Sequence, residues 1–147
     1  MNIAYIIRGL PGSAKSTIAT ELAKAAIADG KSVIVHTTDD YHMIDGMYRY
    51  NPDKTSKYHK KNLLAFQRSC HKGINVVICP NTNINKDQYG IYEAYAKKCG
   101  YHVFKIIMDA FDTKKASHYT VHKVPETIIQ KMKQNFEICG KRIFPKT

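Results

Sequence analysis

Nine residues constrain this chain most: Gly9-Leu10-Pro11-Gly12-Ser13-Ala14-Lys15-Ser16-Thr17, set between an apolar run and an amphipathic one. Ile3–Arg8 reads as a short buried strand. Lys15–Asp29 reads as a helix, because Ile18, Leu22 and Ala26 recur every four residues with Ala19 and Ala23 beside them. Gly30 stands where a helix C-cap belongs. A glycine turn between strand and helix matches the pattern G-x-x-x-x-G-K-[ST], with Ala14 in place of the second glycine. In such a loop, successive N–H groups and the N-terminus of the next helix point at phosphate groups. The candidate phosphate-binding residues are therefore Gly9, Gly12, Ser13, Ala14, Lys15, Ser16 and Thr17. Lys15 brings a mobile positive charge and Ser16 a hydroxyl suited to Mg²⁺. The methyl of Ala14 predicts a modest penalty in the loop rather than loss of binding.

The alternation continues down the chain. Ser32–His36 reads as a strand and Tyr41–Lys54 as irregular, with Asp45-Gly46 and Asn51-Pro52 as turn signals. Ser56–His71 reads as a helix ending at Gly73, Asn75–Cys79 as a strand, and Lys86–Lys98 as a helix with Ile91, Tyr92, Tyr95 and Cys99 on one side. Tyr101–Met108 reads as a strand and Asp112–Ser117 as a short helix. A polar stretch, His118–Lys123, leads to Pro125, which suits the first turn of a last helix with Ile128, Ile129, Met132 and Phe136 facing inward. Strands alternating with helices predict an α/β fold of three layers, a parallel sheet flanked by helices as in P-loop NTPases. A length of 147 residues fits one domain over 1–147.

In open α/β sheets, ligands gather at the carboxyl ends of the strands. The second strand runs into Thr37-Thr38-Asp39-Asp40-Tyr41-His42. Of two carboxylates there, one can accept a proton from an attacking hydroxyl while the other orients Mg²⁺ or a basic side chain. Helix capping is the structural alternative. The third strand runs into Asn81-Thr82-Asn83, which either holds an acceptor or simply forms a turn.

Charge narrows the partner. Lys and Arg number 23 against 12 Asp and Glu, a formal net charge of +11. That surplus points to a polyanion, nucleic acid above all. Lys54, Lys57, Lys60, Lys61, Arg68 and Lys72 crowd one segment beside Tyr48, Arg49 and Tyr50. Such interleaving suits a single strand, with lysines on phosphates and rings on bases. It equally suits a solvated helix face with tyrosines in the core. Cys70, Cys79, Cys99 and Cys139 have neither CxxC nor zinc spacing and read as reduced thiols. No apolar run approaches the ~20 residues of a membrane helix, and Ile3–Ile7 is too short for a signal peptide. No membrane association and a cytoplasmic location are expected.

The combination GLPGSAKST, TTDDY and NTN, followed by a helix–strand pair and a helix opened by Val124-Pro125, resembles the polynucleotide 5′-hydroxyl kinase family. The likeness extends to the kinase half of the phage polynucleotide kinase and to the P-loop domain of the NEDD4-binding-protein group, over Ile3 to Phe136. The resemblance implies an ATP- and Mg²⁺-dependent phosphotransferase. In it, Asp39 is the general base, Lys15 and Ser16 act on the phosphates and metal, and Asn81, Thr82 and Asn83 lie near the acceptor. Asp39 and Ser16 are also the candidate metal-facing oxygens, and Asp40 and His42 are candidate substrate residues. The chain departs from the family at His42, where the phage enzyme has an arginine, and at Pro80, where some relatives have an aspartate. It departs again in the lid: Tyr119 stands where an arginine is usual, and no arginine occurs between Arg68 and Arg142. Lys115, His118, His122 or Lys123 are the candidate substitutes. Four functions remain open at this level: a kinase of nucleic-acid 5′-hydroxyl ends, a kinase of 5-hydroxymethyl-pyrimidines in DNA, a small-metabolite kinase, and a degenerate nucleotide-binding module.

Overall fold

The computed structural model describes residues 1–119, 124–138, 141–142 and 144. The strands are β1 (Ile3–Arg8), β2 (Val33–Val35), β3 (Met43–Ile44), β4 (Met47–Tyr48), β5 (Val76–Pro80), β6 (His102–Ile107), β7 (Glu137–Ile138) and β8 (Lys141–Arg142). The helices are α1 (Lys15–Ala28), α2 (Thr55–Lys72), α3 (Lys86–Lys98), α4 (Thr113–Tyr119) and α5 (Glu126–Gln134). Four strands form a parallel sheet in the order β2-β5-β1-β6. Gly30 and Gly73, expected to end helices, and Gly100 after α3 all take left-handed φ values, of 71°, 75° and 84°, the conformation that closes a helix at little cost when no Cβ is present.

Side-chain alternation along the strands builds two cores. From β1 and β5, Ala4, Ile6, Val77 and Cys79 face one way and pack with Phe66 and Cys70 of α2 and Tyr89, Tyr92 and Ala96 of α3. Ile7, Val76 and Ile78 face the other way and pack with Ile18, Ala19, Leu22, Ala23 and Ala26 of α1. The α1 stripe read from its four-residue spacing is thus the buried one. Helices on both faces follow from right-handed crossovers, since β1 to β2 and β2 to β5 travel in opposite directions along the sheet. A third cluster, Leu10, Ile84, Ala116, Ile129 and Phe136, seats α4 and α5 beyond the carboxyl ends of the strands.

Several expectations change. Ile91 is 50% exposed, and Tyr89 takes its place on the buried side of α3, because a face centred on Tyr92 includes positions three before and four after it. Ile128 is 46% exposed while Ile129, Met132 and Phe136 pack inward. The stretch expected to be irregular contains a hairpin, β3–β4, turned by Asp45 (φ 52°) and Gly46 (φ 76°). Consecutive positive φ angles suit a two-residue hairpin with the right-handed strand twist. A second hairpin, β7–β8, has no counterpart in the expected elements. Pro125 caps α5 rather than entering its first turn. Cys70 and Cys79 are buried free thiols and Cys99 is a partly buried one; burial pushes the Cys70 and Cys79 thiols up to about 12. Cys139 lies outside the described residues, as do His122 and Lys123. Among the described residues no helix is long and apolar enough to cross a membrane.

Candidate active site

The glycine loop leaves β1 at the centre of the sheet. Gly9 N–H donates to the Thr82 carbonyl at 3.1 Å, so the loop is tied to the chain leaving the neighbouring strand β5. A Cβ on Gly9 would stand 2.6 Å from Ser13 Oγ and 3.0 Å from Met108 Cβ, which leaves room for glycine alone. Ser13 is buried beneath the loop and its N–H donates to the Leu10 carbonyl. Ala14 sits at the N-cap of α1 with φ 68° and ψ 26°. A left-handed residue there costs little as glycine and about 1–2 kcal/mol with a Cβ. No side chain caps α1 and its first turn contains no acid, so its leading N–H groups have no side-chain acceptor to compete with an anion.

Lys15 opens α1. Its Nζ donates to the Leu10 carbonyl at 2.8 Å, and burial lowers its pKa to about 8 against the opposing pull of Asp39. Asp39 comes from the short helical turn Thr38–His42 that follows β2. Thr37 Oγ1 caps that turn by accepting from the Asp39 N–H at 3.4 Å. Asn81 then latches it to the chain after β5. Its Oδ1 accepts from the Thr38 N–H and hydroxyl, both at 3.1 Å, and from Thr37 Oγ1 at 3.4 Å.

These residues meet in one cleft of about 900 Å³. Pro11, Gly12, Ala14, Lys15, Ser16 and Thr17 form one side; Thr38, Asp39, His42, Asn81 and Thr82 form another. The polar residues forecast from three separate strand ends thereby converge. Not all do. Asp40 is exposed and lines a second, smaller pocket of about 280 Å³ with His36, Tyr41 and Asn62. Partial desolvation of its carboxyl, and then the charge of Asp39, raise its pKa. The two carboxylates therefore serve different surfaces. Asn83 is 3% exposed, with φ 46°, and its Nδ2 donates to the carbonyls of Ile7 and Asn81. It braces the loop instead of reaching the cleft. Ser13 and Gly9 likewise shape the loop from below.

The cleft also has walls from outside the three strand ends. Val124, Pro125, Ile128 and Met132 form an apolar side; of these, Ile128 and Met132 read as core from the sequence. Tyr48, Tyr50, Thr55 and His59 also line the cleft. Tyr48 and Tyr50 belong to the basic-aromatic segment noted in the sequence, whereas Thr55 and His59 reach the site only because they lie one turn apart at the start of α2. Burial first, and then His42, lowers the His59 pKa, while Asp39 opposes. Burial, Asp39 and Tyr50 push Tyr48 up to about 12. His42 is 4% exposed, and its Nδ1 accepts from the Asn51 N–H at 3.4 Å; in the neutral ring the proton then sits on Nε2. No group of three or more His, Cys, Asp or Glu is arranged for a metal among the described residues. An oxygen set of Ser16 and Asp39 fits Mg²⁺ bound chiefly through phosphates and water, which needs only one or two protein ligands.

The family model described as "Chromatin associated protein KTI12" matches residues 4–143. This chain belongs to the KTI12 family. Human NEDD4-binding protein 2 is 28% identical over 141 residues, which are 92% of this chain and 8% of that protein; the chain thus spans a small part of that relative. A chain of the Pnkp1/Rnl/Hen1 RNA repair complex superposes with a TM-score of 0.65 at 19% identity, covering 89% of this KTI12-family chain and 42% of its own. The Mycobacterium tuberculosis APS kinase, solved with AMPPNP and APS, superposes with a TM-score of 0.55 at 14% identity, covering 74% and 62%. The fold is that of the P-loop kinases.

Proposed function

We propose that this chain is an ATP-dependent phosphotransferase that moves the γ-phosphate to a hydroxyl of a nucleic acid, a 5′-hydroxyl end foremost. The observation that carries this reading is the meeting of Lys15 and Asp39 in one cleft, a buried ammonium at the phosphate loop and a carboxylate from the next strand end. The N–H groups at Gly12–Thr17 bind phosphate oxygens, and Lys15 neutralises their charge. Ser16 and Asp39 would offer oxygens to Mg²⁺, which when bound would offset the negative charge that builds on the phosphates. Asp39 accepts the proton of the acceptor hydroxyl as its oxygen bonds to the γ-phosphorus and the bond to the bridging oxygen breaks, releasing ADP. A positioned base of this kind contributes roughly 10²–10⁴-fold in rate.

Nucleic acid is favoured over a small metabolite by the charge of +11 and by the exposed lysines of α2, the helix whose Thr55 and His59 line the cleft. The same site accommodates a 5-hydroxymethyl-pyrimidine in DNA as acceptor. The KTI12 description as chromatin-associated and the RNA repair complex among the structural neighbours agree with a nucleic-acid partner. A cytoplasmic or chromatin-bound location is compatible with this partner. The left-handed Ala14 favours a second reading, a nucleotide-binding module without transfer.

Incubation with γ-labelled ATP and a panel of 5′-hydroxyl DNA and RNA oligonucleotides and hydroxymethylated DNA tests the proposal. Transfer of label to one of these acceptors is expected. ATP binding with no labelled acceptor across the panel would overturn the nucleic-acid kinase reading and leave the small-metabolite kinase and the binding module standing.

A further inference from the structure

The hairpin β3–β4 and the residues after it carry more apolar surface than a strongly basic chain needs. Met43, Ile44 and Met47 are 45%, 42% and 60% exposed, and Tyr50 is 61% exposed. Tyr50 is nonetheless packed along one side. Its ring centroid lies 5.1 Å from that of His42. His42 in turn is buried between Tyr48 at 5.7 Å and Tyr58 at 4.8 Å, and Tyr41 stacks on Tyr58 at 5.8 Å. A ring supported on one side and open on the other is already ordered, so stacking on it costs little further side-chain entropy. Tyr50 and Tyr48 also line the cleft that holds Asp39.

The segment that carries this ring is cationic. Residues 41–72 contain seven Lys and Arg against two Asp. Lys54, Lys57, Lys60 and Lys61 are exposed. Among the described residues none of the four takes part in an ion pair, whereas Lys24, Lys97 and Lys105 elsewhere pair with Glu21 and Glu93. Lys61 Nζ lies 6.0 Å from the Tyr58 ring, which packs on His42 as Tyr50 does. Exposed lysines without ion pairs on the same segment as an open aromatic ring complement a chain of phosphates with flat bases, which neither an apolar peptide nor a neutral ligand would match.

We infer that Tyr50 is a base-stacking platform for a single-stranded nucleic acid whose phosphates follow Lys57, Lys60 and Lys61 of α2 away from Asp39. This rests on the reading of the cleft as a nucleic-acid acceptor site, but it is a statement about binding. It makes Tyr50 a determinant of strand affinity and leaves proton transfer to Asp39.

The chain contains no tryptophan, so Tyr50→Trp places a single indole at the platform. A 3′-fluorescein oligothymidylate of about ten nucleotides, and its uridylate counterpart, serve as probes by anisotropy. An unlabelled copy serves for indole emission. The expected results are quenching of the indole of the Tyr50→Trp variant by the oligonucleotide, a loss of affinity of about tenfold or more in Tyr50→Ala, and affinity within about twofold of wild type in Tyr50→Phe. An oligonucleotide that binds without moving the indole emission overturns the inference, as does a wild-type chain that binds neither probe. If Tyr50→Ala fails to fold, the indole emission still decides. Tyr50-dependent binding without phosphate transfer would sink the kinase reading and leave this one standing; transfer with an unresponsive indole would do the reverse.

Discussion

Arg8 Nε donates to the Asn83 carbonyl at 2.7 Å across 75 residues of sequence. The same guanidinium donates to the carbonyls of Ile84 at 3.1 Å and Glu137 at 2.6 Å. It is 2% exposed and lies between the rings of Tyr89 and Phe136, at 4.2 and 4.8 Å. One arginine at the end of the central strand thus holds three carbonyls from two other segments, and through Asn83 it fixes the Asn81–Thr82 edge of the cleft. The planar fork and the stacking faces that arginine offers here are not available from lysine.

Removing Arg8 strands those buried carbonyls. Arg8→Ala is expected to destabilise the chain by about 3–5 kcal/mol, and Arg8→Lys by a large part of that. Urea unfolding of the three proteins at one pH measures it; equal midpoints would show that the network contributes nothing.

Ala14 holds a left-handed conformation that a Cβ disfavours. Ala14→Gly relieves that strain but enlarges the freedom of the unfolded chain, so a net gain of about 0.5–1 kcal/mol is expected. Nucleotide affinity should hold or rise, because the loop geometry is one glycine adopts freely. A thermal melt together with ATP titration reads both effects.

Lys15 has a folded pKa of about 8, below the ~10.4 of an exposed lysine. Between those values the unfolded chain binds more protons than the folded one, so stability rises with pH across that window and the cost of burying the charge is fully present below it. Lys15→Met removes that cost. It should melt higher than wild type near pH 7, with the difference shrinking from about pH 8 towards 10, while ATP binding is lost. A lower melting temperature for Lys15→Met at neutral pH would contradict the assignment.

His36 shows the opposite side of neutrality. It is buried, its Nε2 is 2.8 Å from Ser69 Oγ, and burial lowers its pKa to about 4. The unfolded ring takes up its proton near ~6.5, so stability should fall as pH drops from about 6.5 to 4, by up to about 3 kcal/mol. Denaturant unfolding across that range, compared with His36→Gln, isolates the contribution as the difference in slope.

Asp39 and Asp40 face different pockets, so their variants should separate. Asp39→Asn is expected to lower transfer by roughly 10²-fold or more with ATP binding kept. Asp40→Asn should leave transfer within a few-fold. Labelling rates at saturating ATP compare them, and equal losses would mean that both carboxylates act on the acceptor.

The sequence alone determined the α/β class, the glycine loop between β1 and α1, and the strand ends that carry the polar residues, because these rest on local periodicity and on a motif whose geometry is in the backbone. The helix stripe of α1 and the closing glycines were equally legible, each being decided within a few residues. Which of the strand-end side chains share a cleft was not. Asp39 and Asp40 are neighbours in sequence, yet the tight turn at Thr38–His42 sends them to different pockets. Asn83 reads as one of three equivalent polar residues until a left-handed φ and the grip of Arg8 turn it into a brace. Ile128 read as core and became cleft wall, because burial depends on what lies opposite and not on spacing. Thr55 and His59 joined the site only through the packing of α2 against the cleft. Contacts across tens of residues follow from the order of the strands in the sheet, and only the tertiary structure decides that order.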